Sequence, residues 1–171
     1  HNLPLILDET KRAKHPNTVR DVIYDFCQGQ GRGRGNPDGT RHIDHWRSVL
    51  ISSGEGSATS FSQDAGTRAR VLSLKGKPLG NSTSQGGRIS EDVQMLIADN
   101  YGHLGRLVID YLVSNQKNKA VIRDAFMNTR ALYLNAAQSA VARRHASHLA
   151  VLDLTAKIVH QLGLPVPEFE P

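Results

Sequence analysis

The sequence predicts an α/β fold in which a parallel-sheet core is followed by an α-helical C-terminal bundle. Three observations carry that prediction. The run Leu3-Pro4-Leu5-Ile6-Leu7 is apolar without alternation, as in strands covered on both faces of a parallel sheet. Shortly after it, Val19, Val22, Ile23, Phe26 and Cys27 recur at the three-and-four spacing of a helix face. From residue 90 onward, apolar residues return at helical spacing almost to the end of the chain.

The first strand, Leu3–Leu7, gives way at once to Asp8-Glu9. A domain rarely opens on its central strand, so the chain is expected to be a fragment of something larger. Pro16 sits where a first helical turn tolerates it, Gly29 ends that helix, and Cys27 is expected to be a buried small hydrophobe on its apolar face. Residues 28–40 are Gly-rich, carry Arg32 and Arg34, and end in the turn-forming Asn36-Pro37-Asp38-Gly39, which predicts a mobile loop or a hairpin. Two further strands are expected at Trp46–Ser52 and Ala69–Leu74, separated by a polar stretch. The Gly, Ser, Lys and Pro of residues 75–87 mark a connection. Ser90 then reads as an N-cap with Glu91 and Asp92 in the first turn. A break at Tyr101-Gly102-His103 precedes another stripe, and two longer helices follow, the last spanning about Ser139–Leu162 with small residues Ala146, Ala150 and Ala156 on its face. The organisation expected is a core over residues 1–80 and a helical lid or C-terminal region over 81–171.

Composition agrees with a globular chain: 171 residues, 39% hydrophobic, 22% charged and only 5% aromatic, so the core must be aliphatic. The single cysteine excludes an intramolecular disulfide framework and any multi-cysteine zinc site, and a reducing, cytoplasmic setting fits it. No apolar run is long enough to cross a bilayer. A net charge of +5 and a pI near 9.6 favour a polyanionic partner without identifying one.

The most informative constellation is the apolar strand ending in Asp-Glu. In phosphoryl-transfer enzymes, an acidic residue at the end of a strand holds Mg²⁺ directly or through water, and an adjacent carboxylate polarises the attacking water. Asp8 and Glu9 are placed for those two jobs, although an acidic pair there also simply starts a loop or a helix. Strand 46–52 ends in Ser52-Ser53-Gly54-Glu55, which puts hydroxyls at the edge of the sheet where open α/β folds bind ligands. Arg68 and Arg70 flank Ala69, where guanidinium groups stabilise developing phosphate charge or merely solvate an edge strand.

Together, LPLILDETKR at 3–12, GQGRGR at 29–34, WRSVLISSGE at 46–55, GTRARVL at 66–72, Asn100-Tyr101-Gly102-His103 and the Ala/Leu-rich helix after Arg143-Arg144 resemble the C-terminal portion of the domain-of-unknown-function 927 family. That family occurs in replication proteins of phages, plasmids and genomic islands and is similar to AAA+ P-loop helicases. The resemblance implies an incomplete P-loop core in which Asp8 and Glu9 are the Walker B pair and Ser53 (or Ser52) is the sensor of the γ-phosphate. It further implies that Arg68 or Arg70 is the finger reaching a neighbouring subunit's nucleotide in a homo-oligomeric ring. The Gly/Arg loop would lie where related helicases carry a hairpin facing DNA. Mg²⁺ and ATP are the implied cofactors of the intact protein, with Asp8 as the Mg²⁺ ligand.

One departure bears on activity. No G-x-x-x-x-G-K-[ST] occurs in these residues, so the cradle for the β/γ-phosphates is expected upstream, and this chain alone is expected to hydrolyse ATP no faster than buffer. The competing expectation is a non-catalytic nucleic-acid-binding or regulatory module contacting phosphates through Arg32, Arg34, Arg41 and Arg47. A scaffold built on the Ala-rich helices is a third. His42, Asp44 and His45, and the pair His145 and His148, are each an incomplete ligand set for a metal, so solvated or capping roles are expected. His103 reads as a helix-start residue, and Ser53 lacks the first glycine of a nucleophile elbow.

Overall fold

The computed structural model describes residues 3–9, 13–31, 35–36, 39–40, 43–61, 64–77, 79, 83–114 and 116–164. The chain forms two compact units, His1–Lys75 and Gly76–Pro171. It is an α/β structure with a small parallel sheet in the first unit and helices throughout the second.

In the first unit, β1 (Leu5–Leu7) pairs in parallel with β4 (Leu50–Ser52), with Leu5 opposite Leu50, Ile6 opposite Ile51 and Leu7 opposite Ser52. The ladder is extended at both ends, by Leu5 N–H donating to Val49 O at 3.0 Å and Ser53 N–H donating to Leu7 O at 3.1 Å. Parallel strands need a crossover, and part of it is helix α1 (Pro16–Cys27). Pro16 starts α1, where its missing N–H costs nothing, and Gly29 at φ +69° turns the chain out of it. Between α1 and β4 lies a ribbon: β2 (Gly35–Asn36) and β3 (Gly39–Thr40) pair antiparallel, and Gln30 bridges His45 nearer the base. A 3₁₀ turn at Ala58–Phe61 and helix α2 (Ala65–Arg68) pack on α1, whose Val19 and Ile23 join Thr67 and Ala69 in the buried centre.

Several expectations are corrected here. Of the strand expected at 46–52, only Leu50–Ser52 forms as strand; Trp46 lies instead at the base of the ribbon, and Ser48 donates its hydroxyl to Leu3 O. No strand forms at 69–74: residues 65–68 are helical, Ala69 and Arg70 close that turn, and 71–74 run irregularly. Nor is β1 covered on both faces. Ile6 and Ile51, paired on one face, are 71% and 52% exposed.

In the second unit, α3 (Thr83–Asp99), α4 (His103–Ser114), α5 (Gln116–Ala136) and α6 (Ala140–Gln161) follow one another. Gly102, at φ +81°, makes the break between α3 and α4, and His103 starts α4 as expected. Ser90 is not an N-cap, since α3 begins earlier and runs through it; no proline between 83 and 90 stops the helix from extending back from its apolar stripe. Helices α5 and α6 form the tightest pair, with Ala146 and Ala150 fully buried so that the backbones approach closely, and α4 rests on both. Ser139 caps α6 by accepting from Ala142 N–H at 3.1 Å. Arg130 on α5 donates to Ser147 Oγ at 2.9 Å, and buried Asp153 pairs with Lys157 one turn on at 3.0 Å. None of the described helices is long and apolar enough to cross a membrane.

Candidate functional site

Alternation along a strand sends residues two apart to one face. Ile6 and Asp8 therefore share a face with Ile51 and Ser53, and the register of β1 on β4, continued by one residue, sets Asp8 beside Ser53. The Ser53 hydroxyl donates to Asp8 Oδ1. Both groups are exposed, at the carboxyl end of the two strands. Ser52, with Leu7, Asp8, Thr18, Val19 and Ile23, lines a cavity of about 230 Å³ between the strand tips and α1. Of the two serines, Ser53 is thus the one that touches Asp8.

Glu9 adjoins the same cavity and holds φ at +53°, the one non-glycine residue among those described with a positive φ. An L-residue in that conformation brings Cβ against the following carbonyl. The chain thus turns sharply as it leaves β1.

The arginines expected to act on phosphate lie on a different element from the one anticipated. Arg68 is exposed in the last turn of α2. Arg70 follows that helix, with its guanidinium 4.6 Å above the centre of the Tyr24 ring and Nη1 donating to Gly66 O at 2.7 Å. Gly66 permits this arrangement, because a Cβ there would collide with the Tyr24 hydroxyl and crowd Arg70. Arg70 is thereby joined to α1 and is not bonded to Asp8. Cys27, at the end of α1, is exposed rather than buried as expected, since the buried stripe closes at Ile23. Even so, burial of its thiol end pushes the thiol above the ordinary value of 9.0, against an opposing pull from Arg70.

Of the residues expected to meet nucleic acid, Arg32, Arg34 and Arg41 lie outside the described residues, and Arg47 is exposed just beyond the ribbon. Of the two readings of residues 28–40, loop or hairpin, the paired β2 and β3 fit the hairpin, and its anchorage was not foreseen: Trp46 Nε1 donates to Phe26 O at 2.8 Å. Among the described residues no group of three His, Cys, Asp or Glu is placed to hold a metal. His42 lies outside them, and His145 and His148 set their rings 5.8 Å apart.

The first 45 residues match the family model described as Domain of unknown function (DUF927). No curated protein matches the chain. Among solved structures, the chain is similar to "SCCmec type IV Cch - active helicase", with a TM-score of 0.66 and 21% identity over 95% of this chain and 28% of that one. The chain thus spans little more than a quarter of the length of that helicase chain and shares the fold of the corresponding part. The segment similar to the DUF927 family model is the one that carries β1, Asp8, Glu9, α1 and the ribbon.

Proposed function

We propose that the chain is part of an ATP-driven DNA helicase or translocase of a mobile element, in which the tips of β1 and β4 form the catalytic edge of a P-loop, AAA+-like nucleotide site. The observation that carries this reading is the parallel pairing that sets Asp8 against Ser53, with Glu9 next in the chain. In its support, the chain is similar in fold to a protein described as an active helicase.

The residues fit a Mg²⁺-nucleotide. Asp8 and Ser53 offer hard oxygen donors, and one exposed carboxylate suits an ion that keeps most of its waters and its phosphate ligands. Bound there, Mg²⁺ would neutralise charge on the phosphoryl group being transferred. Asp8 would orient the ion's shell, and Ser53 would donate to a phosphate oxygen once released from Asp8. Glu9, next in the chain and lining the same cavity as Asp8, would accept a proton from the attacking water. Arg68, or Arg70 after leaving Tyr24, would reach the nucleotide of a neighbour in a ring. The ribbon, with Arg32, Arg34 and Arg41, and Arg47 beside it, would meet DNA phosphates. The setting of this work would be the cytoplasm.

The test is ATP turnover by the full-length protein with and without DNA. Turnover stimulated by DNA and abolished by Asp8→Ala is expected, and the present chain alone should turn over no ATP. Salt-sensitive DNA binding without any ATP turnover would replace this reading with that of a non-catalytic binding module.

A further inference from the structure

The ribbon between α1 and β4 is tied to the helix by contacts that phosphate chemistry does not require. The last turn of a helix leaves carbonyls without an intrahelical partner. At the end of α1, Phe26 O accepts twice, from Gly29 N–H at 3.1 Å and from Trp46 Nε1–H at 2.8 Å. The indole also lies beside the Phe26 ring, with centroids 6.2 Å apart. From the same residues the ribbon starts: Trp46 N–H donates to Gly29 O at 2.9 Å, Gln30 bridges His45, and Gly31 N–H donates to Asp44 O at 2.8 Å. Gly29 is required at this junction twice over, by φ +69° and because a Cβ would lie 3.2 Å from Trp46 O.

We propose that Trp46 is a positioning residue that fixes the direction in which the ribbon leaves α1. The physical need is plain. Two short antiparallel strands rich in glycine have few side chains to hold them against the rest of the protein, and an isolated hairpin is marginal in water. One indole supplies both a packed face and a donor to a helix carbonyl, so the ribbon inherits the direction of a helix whose Val19 and Ile23 line the cavity beside Asp8. A ribbon aimed in advance loses less freedom when it meets a ligand than one that swings. The final step, from aim to binding, rests on the reading of the ribbon as the part that faces DNA. The anchoring step does not.

The two steps separate in one experiment on this chain, with Trp46→Phe, which keeps a ring beside Phe26 and removes the donor, and Trp46→Ala. Amide hydrogen exchange of Gly31 and of residue 46 should quicken about tenfold in Trp46→Phe, as loss of one such bond implies, and further in Trp46→Ala. Exchange in α5 and α6 should stay at the wild-type rate, showing that the variants fold. Anisotropy with a fluorescein-labelled oligothymidylate should show weaker binding in the same order. Unchanged exchange at Gly31 overturns the proposal. Faster exchange with unchanged oligonucleotide affinity overturns the link from aim to binding. Faster exchange in a chain whose wild type binds no oligonucleotide upholds the anchoring by Trp46 and removes the DNA reading instead.

Discussion

Asp8 and Ser53 stand 45 positions apart in sequence, yet the Ser53 hydroxyl donates to the Asp8 carboxylate across the ends of β1 and β4. That bond is made by groups that water also reaches, so its worth is that of an ordinary surface hydrogen bond to a charge. A double-mutant cycle with Asp8→Asn and Ser53→Ala, read by urea unfolding, should return a coupling of about 1 kcal/mol. A coupling indistinguishable from zero would mean that the two side chains do not meet in solution.

Glu9 carries a backbone conformation that glycine adopts freely and β-branched residues resist. Glu9→Gly should raise the stability of the first unit by about 0.5–1 kcal/mol even though it deletes a carboxylate, and Glu9→Val should lower it by about 1 kcal/mol. Equal melting temperatures for Glu9→Gly, Glu9→Val and wild type would contradict the positive φ.

Ala150, fully buried where α6 meets its neighbours, leaves no room for a longer side chain. Ala150→Leu should cost about 1–3 kcal/mol by overpacking, measured as a fall in the urea midpoint of the second unit. Ala156→Leu, at a position only partly buried on the same helix, is the control and should cost less.

Burial raises the Cys27 thiol, and the nearby Arg70 charge works in the opposite direction. The rate of alkylation by iodoacetamide should therefore rise with a midpoint above 9.0, and Arg70→Met should move that midpoint higher still. The sign for stability follows: a thiol whose folded value is raised favours the folded state below its ordinary value, and that contribution is lost as the pH climbs through the folded value.

Much of this architecture could be read from residue patterns, and the failures are local. Pro16, Gly29, Gly102 and Ser139 each mark an element boundary because each acts on its own backbone, without help from distant residues. The adjacency of the acidic pair and the Ser52-Ser53 tip was also legible, since apolar runs ending in polar side chains tend to share a sheet edge. Choosing Ser53 over Ser52 needed the register, which a one-residue slip reverses. Ala69–Leu74 was expected to be a strand, but Ala69 and Arg70 close the turn of α2, where Arg70 stacks over Tyr24, a residue far back in sequence, and donates to Gly66 O. The same holds for Trp46, whose partner Phe26 lies 20 residues back.

The wet flank formed by Ile6 and Ile51 has a practical consequence. Two parallel strands that, among the described residues, pair only with each other and carry bare aliphatic side chains are a template on which other strands can stack. Concentrated stocks of this chain should cloud with time, and lysine in place of either isoleucine should keep them clear without touching the carboxylate at the strand tip.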